Sequence, residues 1–435
     1  VTTPVQTPSV STNLTAQLLV EQMSDTEKHR ATCVEQVLPV LRQHAVEADT
    51  SGEFFVPHVQ TLSQTGLLGL IVPQEFGGMG GTLRDLAGAC FAMGTACPST
   101  ALAYFFHCSS ASRGLLGLEA IEAGLFNHEE AQLVSAFAHK LLNKMGREGK
   151  WLANFASEEA KSAASAVTIS TIAKKVDGGW VLNGTKFFGC ASGVADEYLV
   201  TAALEGVNTA DGLTLFFVPK DAEGVSIRAQ WDALGMRATA TNGIILKDVF
   251  VPDDEAMTVQ GAFVKMMQMS RGSFVGNQLA ATAIYLGAAQ AVYDFSLQFL
   301  TSRKFEDTGK MIAESPFHQQ LIGDMTTDLE NAYLWMRRQI ELETSEPPLL
   351  PKNRVVRQWR MSKGSVAELA FKVGVNALKA CGTSNTNNSG VIARGLRDLT
   401  MGLVQAFPAE RGRLMTAEMV TKESHQPDFS IGDKK

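Results

Sequence analysis

A chain of 435 residues that is 45% apolar and only 19% charged can bury a large core, and it exceeds the usual size of one domain. Its net charge of -7, with no run of Lys and Arg to track a phosphate backbone, argues against nucleic acid as a partner. No uncharged apolar run is long enough for a bilayer, and Cys33, Cys90, Cys97, Cys108, Cys190 and Cys381 fall in no metal-ligand spacing, so they read as reduced core thiols of a cytoplasmic protein without a metal site or membrane partner.

The opening residues 1–12, polar and rich in Pro, Thr and Ser, read as a disordered arm and not as a signal peptide. Residues 13–150 carry helical periodicity, as in Val34, Val37, Leu38 and Leu41. The small and apolar stretch from Phe91 to Phe106 predicts a buried segment, with Pro98 opening a helix in its first turn. From Trp151 the period changes. Residues 151–255 predict a β domain, with strands near Val167–Thr171, Tyr198–Ala203 and Leu213–Val218, a hairpin turn inside Val176–Trp180, and a second turn signal at Leu182-Asn183-Gly184. Residues 256–435 return to helical spacing, with a long helix over Ala280–Leu300 and three more at about Pro316–Glu343, Lys352–Lys379 and Gly402–Lys422. Pro347-Pro348 and the Asn-rich stretch Ser384–Gly390 are the expected connections.

Three stretches stand out in this frame: GLLGLIVPQEFGGMGG (Gly66–Gly81), NGTKFFGCASGVAD (Asn183–Asp196) and LGMRATATNGIILKDVFVP (Leu234–Pro252). Singly each is a weak signal, but in this order and spacing they resemble the acyl-CoA dehydrogenase family. The resemblance implies an α+β fold: an N-terminal α-helical domain, a middle β-barrel or sandwich domain, and a C-terminal four-helix bundle. It also implies FAD between the β domain and the bundle, in a homodimer or homotetramer whose neighbouring subunit receives the adenine end.

Carried over residue by residue, the family's cofactor contacts fall on Phe155, Ser157, Phe188, Cys190, Arg303, Phe305 and Gly382. Ser157-Glu158-Glu159 stands for a Thr-Glu-Pro, and Ser162-Ala163 for the Gly-Ser that follows it. Phe188-Gly189-Cys190 replaces a Trp-Ile-Thr, keeping an aromatic wall but exchanging a hydroxyl for a weaker thiol donor. Arg303-Lys304-Phe305 and Gly382 would serve the adenine side. His318 reads as ordinary helix packing.

Desaturation of an acyl thioester needs a carboxylate to remove the α proton. In the family it follows an Arg-Asp pair; here Arg397-Asp398 leads to Gln405, Ala406, Phe407 and Pro408, which puts Ala406 at the Glu position. The family's alternative position, on the long helix, is held by Asn277, and Gln278 replaces the Arg found there. Ala163 replaces the Ser that helps bind thioesters. Glu410 and Glu158 are the remaining candidate bases. Three readings follow, in order: a flavin-dependent dehydrogenase of an acyl substrate, passing electrons to an electron-transfer flavoprotein; a flavin-dependent monooxygenase fed by a flavin reductase, which needs no such base; and a non-enzymatic homologue.

Overall fold

The computed structural model describes residues 14–159, 167–228, 231–422 and 429–431. The expected arm at 1–12 and the pair Ser162-Ala163 lie outside these. Five helices come first: α1 (Asp25–Ser51), α2 (Val56–Gln64), α3 (Leu83–Ala96), α4 (Pro98–Glu122) and α5 (His128–Gly146). Ser24 caps α1 reciprocally with Glu27, and Gly52, at φ 69°, ends it. Its apolar stripe faces inward, whereas α3 and α4 are buried on nearly all sides, which explains their small and apolar composition. Pro98 is the first residue of α4, where its missing N–H is no loss. Gly66–Gly81 forms 3-10 turns between α2 and α3.

The middle region holds β1 (Leu152–Phe155), β2 (Val167–Ile169), β3 (Ile172–Val176), β4 (Gly179–Gly189), β5 (Glu197–Leu204), β6 (Leu213–Pro219), β7 (Val225–Arg228) and β8 (Asn242–Pro252). The main sheet runs β1-β5-β3-β4-β8-β7, with β6 on β5. Asp177-Gly178 makes the expected hairpin between β3 and β4, Gly178 having φ 73°. The second turn signal misleads. Asn183-Gly184 lies inside β4, where the register with β8 shifts between Leu182 and Gly184. The Asn183 side chain there accepts from the Asp248 N–H at 2.9 Å and donates to the Asp248 carboxylate at 3.0 Å, so the turn-forming residues serve a bulge.

The remaining helices are α6 (Ala262–Gln268), α7 (Gln278–Ser302), α8 (Pro316–Thr344), α9 (Lys352–Cys381), α10 (Val391–Gly402) and α11 (Ala409–Thr421). Helices α7 to α10 pack on one another, and α11 lies against α9. The helix expected over Gly402–Lys422 therefore begins only at Ala409, and α10 before it is a further helix that the pattern did not predict. Pro408 disfavours helical backbone at Phe407, and the chain turns through Ala406 at φ 62°. A last strand, β9 (Phe429–Ile431), pairs in parallel with β2, a return to the β region that local pattern did not predict.

The outer regions meet where backbones touch. A Cβ on Gly287 of α7 would lie 2.1 Å from the Phe91 carbonyl oxygen of α3, and one on Gly94 of α3 would lie 2.5 Å from that of Ile284. Only glycine permits this approach. It brings α3, and α4 after it, against the helix that forms one wall of the cavity described next.

Candidate functional site

A cavity of about 440 Å³ opens where α4, β1, the end of β4, the loop before β8, the segment before α7 and the α10–α11 turn converge. Backbone strain gathers here. Seven non-glycine residues among those described have positive φ, and Phe188, Met236, Val275 and Ala406 of these line the cavity, while Ala191 and Ala240 adjoin lining residues. Such conformations cost of order 1–3 kcal/mol each and persist where a site requires them.

Phe188 is 55% exposed although it lies at a strand end, because φ 60° turns its ring outward. Behind it, Gly189 leaves room for the Phe155 ring, which a Cβ would meet at 2.1 Å. Trp231 stands edge-on to Phe188, with ring centroids 6.3 Å apart, and donates from Nε1 to the Met236 carbonyl at 3.1 Å. The Met236 N–H in turn donates to Asp398 at 2.6 Å. Burial raises the Asp398 carboxyl to about 6, and its neighbour Arg397 is engaged with Asp49 at 2.6 and 3.1 Å. The Arg-Asp pair thus holds the α1 end and the loop before β8 against α10.

Polar groups reach the cavity from three sides. Thr241 donates to the Cys190 sulfur at 3.1 Å and lies 2.7 Å from the Thr239 hydroxyl. Burial pushes the Cys190 thiol up to about 12, so it is a neutral thiol and not a nucleophilic thiolate. Asn154 of β1 donates to the Ser109 hydroxyl at 3.4 Å, and Arg113 of α4 donates to the Ser109 carbonyl at 3.1 Å. From α7, the Tyr285 hydroxyl and the Gln278 side-chain oxygen are buried without a hydrogen-bond partner. No Asp, Glu or His lines the cavity among the described residues.

Residues 21–120, 153–249 and 279–407 match, respectively, the N-terminal, middle and C-terminal domains of acyl-CoA dehydrogenase. The chain belongs to the acyl-CoA dehydrogenase superfamily. The putative acyl-CoA dehydrogenase YdbM of Bacillus subtilis (strain 168) is 27% identical over 383 residues, covering 87% of this chain and 93% of that protein. Butyryl-CoA dehydrogenase from Megasphaera elsdenii superposes with a TM-score of 0.76 at 19% identity, covering 92% of this chain and 99% of that one. FMN-bound TdsC from Paenibacillus sp. A11-2, a dibenzothiophene monooxygenase, gives a TM-score of 0.76 at 21% identity, covering 92% and 98%.

Against the superfamily's pattern, the cavity unites Ser157, Phe188, Cys190, Gln278 and Ala406. Phe155 is fully buried behind Gly189 and does not line it. Asn277 is also buried beside the cavity wall, and both polar atoms of its side chain lack partners. Arg303, Phe305 and Gly382 stand elsewhere, at the end of the C-terminal helices where Leu300, Leu321 and Ala380 form a small separate core. His318 there bonds with Ser315, which caps its own helix, a local packing role.

Neither candidate base reaches the cavity. Glu410 is exposed at the start of α11. Glu158 is buried in an ion pair with Lys186 at 2.6 Å and accepts the N–H groups of Ser170 and Thr171 at 2.6 and 3.0 Å, so both of its oxygens are engaged. Sequence reasoning missed Arg113, Ser109, Asn154, Trp231 and Tyr285. Thr239 and Thr241 were inside a recognised motif but carried no assigned role.

The superfamily's flavin fits these residues. A planar ring system needs an apolar face and polar groups at its rim. Phe188 and Trp231 supply the face, Ser157, Thr241 and Cys190 the rim, and Tyr285 and Gln278 hold buried polar atoms without a partner among the described residues. Among the described residues no group of three or more His, Cys, Asp or Glu could hold a metal, and no helix is long and apolar enough to cross a membrane.

Proposed function

We propose that this chain is a flavin-dependent monooxygenase of the superfamily, acting on a small, largely apolar substrate. One observation carries the choice: the cavity lining contains no carboxylate among the described residues. Proton abstraction by Asp or Glu, which acyl-thioester desaturation needs, finds no carboxylate among the described lining residues. Bound here in reduced form, flavin would supply two electrons to dioxygen, one oxygen atom passing to the substrate and the other leaving as water.

The chain's own part is positional. Phe188 offers a ring face for stacking, the hydroxyls of Ser157 and Thr241 orient polar rims, and Leu102, Phe106 and Met401 exclude water. Burial raises the Tyr285 phenol well above its ordinary value, so this lining residue keeps its proton at neutral pH. Of the residues carried over for the cofactor, those that line this cavity are the ones for the isoalloxazine ring. The adenine-side candidates Arg303, Phe305 and Gly382 would meet the same cofactor only from a second copy, so FAD binding requires the expected dimer or tetramer and a monomer would retain FMN.

The second reading, dehydrogenation of an acyl thioester with an electron-transfer flavoprotein as acceptor, is favoured by YdbM's name and overall similarity. The two part under nitrogen. Purified flavin-bound protein mixed anaerobically with butyryl-CoA or isovaleryl-CoA should stay yellow. Bleaching within seconds by either thioester would refute the monooxygenase reading. Protein that binds no flavin after reconstitution would refute both and return the chain to the non-enzymatic class.

A further inference from the structure

Helix α4 presents Leu102, Phe106, Ser109 and Arg113 to the cavity at spacings of four, three and four residues, one face of the helix over roughly 16 Å. Three of them are what an apolar site with one hydrogen bond would use. The fourth is a charge. Arg113 is only 3% exposed, and among the described residues no ion pair joins it to an Asp or Glu. Its Nη1 donates to the Ser109 carbonyl at 3.1 Å and to the Ser109 hydroxyl at 3.4 Å, one turn back on the same helix. The opposite edge, Nε with Nη2, makes no hydrogen bond to a described residue, and Nε is buried.

Burial alone lowers this guanidinium to about 10, so it remains charged at neutral pH. An unpaired buried charge is costly and is retained where something supplies its counter-charge. On α7 the Gln278 oxygen is likewise buried without a partner. No second Lys or Arg lines the cavity among the described residues, which suits a single negative charge better than a phosphate dianion. A free edge of two parallel N–H groups matches the two oxygens of a carboxylate.

We propose that Arg113 is the carboxylate-binding residue of this cavity: the substrate carries one carboxylate, held on the Nε–Nη2 edge, with its apolar body along Leu102 and Phe106. The assignment deepens the proposed function, since it rests on the cavity being the substrate site. It narrows the small, largely apolar substrate to an organic acid.

The test titrates purified full-length protein with hexanoate and with hexan-1-ol at pH 7 and fixed ionic strength, read by calorimetry and by tryptophan fluorescence. Wild type should bind hexanoate at least about tenfold more tightly than the alcohol, because only the carboxylate gains charge-assisted hydrogen bonds. Arg113→Gln should weaken hexanoate by about 10- to 100-fold and leave the alcohol within about threefold. Arg113→Lys keeps the charge but loses the two-donor edge, so it should fall between them; it also serves if the Gln variant does not fold. Equal affinity of wild type for the two ligands, no binding of either, or hexanoate affinity unchanged in a folded variant would each overturn the assignment. Flavin content and the thioester assay are read separately, so a protein that prefers hexanoate through Arg113 yet takes no flavin would sink the monooxygenase reading while leaving the carboxylate site standing.

Discussion

Restoring a base at Ala406 tests the argument from the empty position. Ala406 lines the cavity at φ 62°, and it already carries the steric cost of a Cβ in left-handed backbone, so Ala406→Glu adds no new backbone penalty. The turn beneath it is held by Lys363, whose Nζ donates to the carbonyls of Gly402 at 2.9 Å and Phe407 at 2.5 Å, so a longer side chain at 406 extends from an anchored backbone. A positioned general base is worth about a hundredfold to ten-thousandfold, or about 3–5 kcal/mol of barrier. Even a carboxylate placed at the poor end of that range is measurable against a wild type whose described cavity lining holds none. Anaerobic stopped-flow absorbance with butyryl-CoA should show flavin bleaching in Ala406→Glu at least about a hundredfold faster than in wild type, and Ala406→Gln should behave as wild type. The reasoning fails if wild type bleaches as fast as the Glu variant, because a base then exists elsewhere. It fails equally if a folded, flavin-loaded, thioester-binding Ala406→Glu protein gains nothing over Ala406→Gln.

Three further outcomes are expected. Burial lowers the Lys363 amine to about 7 from 10.5, so between those values the unfolded chain binds more protons than the folded one; wild-type stability relative to Lys363→Met should therefore rise as pH goes from 7 to 9, measured by urea unfolding, and a flat difference would contradict the burial argument. Glu158→Gln breaks a buried ion pair with Lys186 and should cost about 3–5 kcal/mol in the same assay, with flavin reactivity per folded molecule unchanged; lost reactivity at normal stability would make Glu158 a catalytic group after all. Gly287→Ala forces a Cβ against the Phe91 carbonyl and should destabilise by about 1–3 kcal/mol, seen as a lower urea midpoint; an unchanged midpoint would mean that α3 and α7 are not in backbone contact.

The order of helices, strands and helices was legible because periods of 3.6 and 2 are local properties of a chain, and so was Pro98 at a helix start, because a missing N–H has the same consequence in any fold. The ordered motifs also carried the family, and the pairing of Phe188 with Cys190 at one site came directly from a motif in which they are two residues apart. Local signals failed where a distant partner decided the outcome. Asn183-Gly184 became a bulge because Asp248, sixty-five residues away, occupies its side chain, and Phe429–Ile431 became a strand only by meeting Val167–Ile169. The surroundings of the candidate bases are likewise tertiary: Glu158 pairs with Lys186 and Glu410 faces solvent, neither of which residue type reveals. Arg113 reads in sequence as one charge on a small-residue helix. Its meaning depends on burial and on a cavity lining without a carboxylate among the described residues, properties of the space between α4, β1 and α7 that exist only once those elements have packed.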